Sequence, residues 1–142
     1  MILVDTNLLL YAYLPADPRQ REAAVWLEHQ VNSDVRIGLP WTVLLGFVRL
    51  AANPRIFAKT VPVATSWSHV LSWLALENVW VPEATERHAE VLGRMLGAAG
   101  ESHKLVTDAH LAALAIEHGL TLCSADRDFA RFPELRWVNP LG

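Results

Sequence analysis

Cysteine is nearly absent from this chain, and the single Cys123 excludes an internal disulfide and any cysteine-based zinc site. One free thiol fits a reducing compartment. Positive charge is not in excess either. Twelve Lys and Arg stand against fifteen Asp and Glu, a formal net charge of −3, so broad non-specific binding to nucleic acid has no electrostatic basis and any such contact must be local. No apolar run reaches the roughly 18 residues needed to span a bilayer, and Met1-Ile2-Leu3-Val4-Asp5 shows neither a basic leader nor a cleavage site. A cytoplasmic protein is expected. Glycine is missing from Asp5-Thr6-Asn7-Leu8, which argues against a phosphate-cradling nucleotide fold. The residue two beyond Asp5 is Asn7 rather than a second acid, which argues against an aspartyl phosphatase. No repeat or low-complexity segment occurs.

What is present is a chain of 142 residues with a hydrophobic fraction of 52%. That length suits one domain over 1–142 that buries roughly 68–70% of its unfolded surface. Six Trp are available for a core or a partner surface.

Ile2 to Val4 reads as a short buried strand. Asp17-Pro18-Arg19-Gln20 reads as an N-cap, a proline at N1 and a reciprocal Gln at N3, predicting a helix to about Val31. Val35 to Leu39 is β-rich. Pro40 opens a helix to about Ala52, and Asn53-Pro54 stops it. In Ala64 to Leu76, the residues Trp67, Val70, Leu71 and Leu74 fall on one helical face. Together with Trp73 and Trp80 that stripe serves either core packing or an interface. Val79 to Val81 is the next strand. Val91, Leu92, Met95 and Leu96 mark a helix after Thr85, with its end and a loop over Gly97 to Lys104. A further helix from about Thr107 ends at His118-Gly119, followed by strands at Leu120 to Cys123 and Trp137-Val138. Apolar strands separated by helices predict an α/β fold with a parallel sheet covered on both faces.

Ligands bind such sheets at the carboxyl ends of the strands. Asp5 leaves the first strand and Asp126 follows the late one, so both are expected on one rim. Asp108 lies in the first turn of its helix, on the stripe of Leu111, Ala112 and Ala115, and points toward the sheet. Carboxylates gathered in this way repel by about 4 kcal/mol per pair at 4 Å and an effective dielectric of 20, unless a cation or proton intervenes. Mg²⁺ or Mn²⁺ suits oxygen ligands, whereas zinc calls for His or Cys, and the six His show no such cluster in the sequence. Local chemistry also accounts for each acid singly: an Asx turn at Asp5, a helix-dipole partner at Asp108, a polar turn at Asp126 and Asp128. Their joint placement favours a site.

Met1-Ile2-Leu3-Val4-Asp5-Thr6-Asn7-Leu8-Leu9, Val106-Thr107-Asp108-Ala109-His110-Leu111-Ala112-Ala113-Leu114-Ala115 and Ser124-Ala125-Asp126-Arg127-Asp128-Phe129 together resemble the PIN-domain ribonucleases. Phe47-Val48-Arg49 and Asn53-Pro54-Arg55 make the chain most similar to the VapC toxins of bacterial toxin–antitoxin pairs. The resemblance implies a three-layer sandwich around a mostly parallel sheet of about five strands. It also implies a Mg²⁺- or Mn²⁺-dependent endoribonuclease with an RNA substrate, a VapB-type antitoxin that fills the toxin groove, and a homodimer. By position, Asp5, Asp108 and Asp126 match the family's acids. Asp128 is an auxiliary acid candidate, and Thr6 and Ser124 are supporting hydroxyl candidates. One departure stands out: the family's second acid falls at Gly46, which cannot ligate. Gly46 costs about 1 kcal/mol in a helix interior, which suggests close packing there.

The expected reaction is metal-assisted hydrolysis of a phosphodiester, with Asp5 and Asp108 as principal ligands and Asp126 ligating directly or through water. Arg49, Arg55, Lys59, Arg127 and Arg131 are candidate RNA contacts, each with an ordinary solvated charge as the alternative. The competing reading from another class is a binding module that keeps the antitoxin groove and, lacking the fourth acid, cuts poorly.

Overall fold

A computed structural model describes residues 1–14 and 17–142. The strands are β1 (Ile2–Val4), β2 (Ile37–Gly38), β3 (Val79–Trp80), β4 (Thr121–Cys123) and β5 (Trp137–Val138). They form one sheet of order β3-β2-β1-β4-β5 in which every pairing is parallel. Leu3 and Val4 are fully buried, as the unbroken apolar run of β1 requires of a strand covered on both faces.

The helices are α1 (Thr6–Tyr13), α2 (Gln20–Val31), α3 (Trp41–Ala51), α4 (Val63–Leu74), α5 (His88–Ala99) and α6 (Val106–Glu117). Helices α1 to α4 serve the connections β1 to β2 and β2 to β3, and α1 packs on α2 and α3, and α3 on α4. Helices α5 and α6 pack on each other and return the chain from β3 to β4. Right-handed crossovers place these two groups on opposite faces of the sheet. The strand order reverses at β1, which makes the exits of β1 and β4 the switch point where such sheets bind ligands.

Helix α1 has no periodic signal in the sequence, because Leu8, Leu9 and Leu10 are all buried and leave no polar side. The segment after Asp5, which the sequence leaves unassigned, is the N-terminus of a helix. The start of α2 also differs from expectation. Asp17 accepts from Arg19 N at 2.8 Å and shapes a turn, and the helix proper begins at Gln20. The Gln20 amide donates to Asp17 O at 3.0 Å, while its side chain turns away, Nε2 donating to Ala12 O at 3.0 Å and fastening α2 to the end of α1. Gly97 lies inside α5 rather than ending it, and the left-handed residue after that helix is Gly100 (φ 66°). Helix α6 closes as its Gly predicts: Gly119 (φ 67°) donates to Ile116 O at 3.2 Å and Leu120 to Ala115 O at 2.8 Å, the paired bonds of a Schellman motif.

The buried face of α4 is one position away from the predicted stripe. Ser66, Val70 and Trp73 point inward, while Trp67 and Leu71 are 40% and 51% exposed. Trp73 sets this rotation: its ring packs 4.9 Å from Phe47 and its Nε1 donates to Tyr13 Oη at 3.1 Å. Trp67 stacks on Trp41 of α3, also half-exposed, with ring centroids 6.4 Å apart. Among the described residues, no helix is long and apolar enough to cross a membrane.

Candidate active site

Asp5 continues the pairing of β1, its amide donating to Cys123 O at 3.0 Å, so its side chain emerges beside Ser124 at the exit of β4. Its backbone is extended (φ −77°, ψ 156°) and it caps α1, Oδ1 accepting from Thr6 N at 2.8 Å. Its Oδ2 accepts from Ser124 Oγ at 2.7 Å. Ser124 is fully buried, and its hydroxyl also accepts from Asn7 Nδ2 at 3.1 Å and from Asp126 N at 3.0 Å. One donor and two acceptors are all that a hydroxyl offers. Asn7 completes the loop by accepting from Ala125 N at 3.3 Å. In place of the Asx turn that was the local alternative at Asp5 stands a network joining both strand exits, and Asn7 is a structural contributor that the motif alone did not reveal.

Asp126 opens a short 3₁₀ helix, Arg127–Arg131, and its Oδ1 accepts from Asp128 N at 2.9 Å. That turn swings Asp128 back over the site. Carboxylate oxygens of Asp108, Asp126 and Asp128 lie within 4.8 Å of one another, close enough to share one cation. This triplet contains Asp128, treated in the sequence as auxiliary, and does not include Asp5. Asp5 is nonetheless near enough for its charge to act on Asp108 and for that of Asp126 to act on it.

The electrostatics are those of a site built for positive charge. Burial, then the charges of Asp126, Asp5 and Asp128, push Asp108 from 3.8 up to about 7. Asp5 is also raised, by burial foremost and against the hydrogen bonds from Ser124 and Thr6. No basic side chain contributes to either shift. Arg49, Arg55, Lys59, Arg127 and Arg131 are exposed and form no ion pair among the described residues.

Thr6 is oriented away from the carboxylates, its Oγ1 donating to Val43 O at 3.1 Å across to α3. A Cβ added at Gly46 would stand 3.0 Å from that same Oγ1. Close packing of α3 on Thr6 therefore accounts for glycine at the position where the resemblance leads one to expect an acid. A second departure concerns histidine. His88 on α5 and His110 on α6, which show no ligand spacing in the sequence, meet with His88 Nε2 at 3.0 Å from His110 Nδ1. Only the packing of α5 on α6 brings them together.

The PIN-domain family profile matches residues 2–135. Ribonuclease VapC33 of Mycobacterium tuberculosis is 40% identical over 141 residues, 99% of each chain, and Ribonuclease VapC37 of the same organism is 40% identical over 140 residues, 99% of this chain and 97% of its own. The chain belongs to the VapC branch of the PIN-domain family. A toxin–antitoxin complex from Klebsiella pneumoniae shares the fold of this VapC-type chain, with a TM-score of 0.65 at 20% identity, covering 99% of this chain and 98% of the other. In this PIN domain Asp5 and Asp126 stand at the exits of β1 and β4, and Asp108 stands in the first turn of α6.

Proposed function

We propose that this VapC-type PIN domain is a divalent-metal-dependent endoribonuclease and the toxin of a type II toxin–antitoxin pair. The observation that carries the reading is the convergence of Asp5, Asp108, Asp126 and Asp128 on the switch point with no basic side chain among the charges that shift them. All donors are carboxylate oxygens, with no His or Cys in the triplet, which fits Mg²⁺ or Mn²⁺ and not zinc. Asp108, Asp126 and Asp128 would hold the ion, Asp128 adding a carboxylate where Gly46 offers none, and Asp5 completes the acidic wall. When bound, the ion supplies Lewis-acid charge at the scissile phosphate and lowers the pKa of water.

The chain's own residues prepare this site. Ser124 and the Thr6 amide hold Asp5 in one orientation, and the Asp128 amide fixes Asp126. Asp108, pushed up to about 7 by burial and the neighbouring carboxylates, would have to release its proton for a cation to be held there. Arg127 adjoins Asp126, and with Arg49 and Arg55 it offers exposed cationic contacts for the RNA backbone.

The antitoxin segment has a suitable berth in a cleft of about 440 Å³ between α1, α2 and α4, lined by Ala12, Tyr13, Leu27, Val31, Trp73 and Leu76. An amphipathic helix laying apolar anchors into such a groove is a recurrent recognition mode. The expected homodimer would cover the exposed stripe of Trp41, Leu45, Trp67 and Leu71. Glycine at position 46 favours one second reading, a binding module with weakened cleavage. Incubating the purified, antitoxin-free chain with total RNA and Mg²⁺, Mn²⁺ or EDTA separates the two: metal-dependent discrete fragments support the nuclease, and intact RNA from folded protein supports the module.

A further inference from the structure

Apart from the acidic site, α5 and α6 share a second cluster of metal-ligating side chains. His88 is the first residue of α5 and His110 lies in the second turn of α6. Their rings meet edge to face, with planes at 84° and centroids 4.9 Å apart. Behind His88 stands Glu117, whose carboxylate is fully buried and contacts His88 Nδ1 through Oε2. Its Oε1 accepts from Thr85 N at 2.9 Å and from Thr85 Oγ1 at 2.7 Å. The same carboxylate accepts from His88 Nδ1, which turns Nε2 of that ring toward His110 Nδ1.

A histidine whose far nitrogen donates to a buried carboxylate is oriented and made more basic as a metal ligand. Zinc–nitrogen bonds of 2.0–2.1 Å and a tetrahedral angle put two imidazole nitrogens about 3.3 Å apart. The observed separation of 3.0 Å is within a small ring rotation of that value. The geometry points to a zinc-type transition-ion site in which His88 Nε2 and His110 Nδ1 are the protein ligands, Glu117 is the orienting carboxylate, and water completes the coordination. On binding, the ion would replace the hydrogen bond between the two rings, and the proton that bridges them would pass to the free His110 Nε2 or to solvent. The ion would clamp α5 to α6 and offset the buried charge of Glu117.

This site is independent of the acidic one. His110 follows Asp108 by two residues, which at 3.6 residues per turn places the side chains on nearly opposite faces of α6. Its nitrogen donors select a borderline-soft ion, whereas the aspartate cluster selects a hard one.

The test uses the full chain stripped with EDTA, in an Asp108→Asn, Asp126→Asn background that silences the acidic site, titrated with Co²⁺ by visible absorption and then with Zn²⁺ by calorimetry. One Co²⁺ per chain with the strong absorption of a four-coordinate site, displaced by Zn²⁺, is the expected result. His110→Gln and His88→Gln should each weaken binding at least tenfold, and Zn²⁺ should raise the melting temperature of the background protein but not of the His110→Gln variant. Octahedral-type weak absorption, absence of binding in this background, or an affinity unchanged by His110→Gln overturns the proposal. His88→Gln keeps a donor for Glu117; if it still fails to fold, the His110→Gln comparison decides alone.

Discussion

Asp108 links the pH dependence of stability to metal binding. Its pKa in the fold is about 7 against 3.8 for the free carboxyl. A group raised by folding contributes stability that is full below its unfolded pKa and is lost as pH rises through the folded one. The metal-free protein should therefore be more stable near pH 4 than near pH 8 as far as this group is concerned. A shift of this size corresponds to at most about 4 kcal/mol, and because Asp108 is only half-buried, solvent screening reduces the effect to about 1–2 kcal/mol. A divalent cation reverses the sign: it displaces the proton, so its apparent affinity should fall about tenfold per pH unit below pH 7 and level off above about pH 7.5. Urea denaturation in EDTA and in Mg²⁺ across this range measures the first effect, and calorimetry in buffers of different ionisation enthalpy counts the proton released on binding. Asp108→Asn should flatten the EDTA profile and abolish proton release. Equal pH profiles for wild type and Asp108→Asn, or metal binding without proton release at about pH 6, would refute the reasoning.

Three further outcomes follow from contacts around the site. Ser124→Ala removes the donor to Asp5 and leaves Asn7 and the Asp126 amide without their partner; a loss of about 1–3 kcal/mol in urea, with slower cleavage, is expected. Gly46→Ala gains about 1 kcal/mol of helix propensity but meets Thr6 Oγ1 at 3.0 Å, so it should stabilise in a Thr6→Ala background by more than in the wild type. A double-mutant cycle by chemical denaturation reads that coupling, and additivity would contradict it. Trp67→Glu, at a half-exposed position stacked on Trp41, should leave the fold intact and shift a homodimer to monomer in sedimentation; an unchanged oligomeric state would remove this stripe from the interface.

The parts of the fold that the sequence made legible are those where a local signal and a tertiary demand coincide. The apolar runs of β1 and β4, Gly119 after α6, and the acids at the two strand exits are of this kind. Helix α1 escaped because three consecutive buried leucines carry no period. The sequence leaves the stripe of α4 open between core and interface, and only the contact of Trp73 with Tyr13 and Phe47 decides which residues are buried. The sequence offers Asp128 only as an auxiliary acid, because its place beside Asp108 depends on the 3₁₀ turn that follows β4. His88, His110 and Glu117 lie on two helices, and no spacing along the chain announces their contact.

The most direct test of the central claim is cleavage of RNA by the purified, antitoxin-free chain and by its Asp108→Asn variant, each with Mg²⁺, Mn²⁺ or EDTA. The acidic site predicts discrete fragments that require the metal and disappear in the variant. Cleavage that persists in EDTA, or that the variant retains in full, would contradict it.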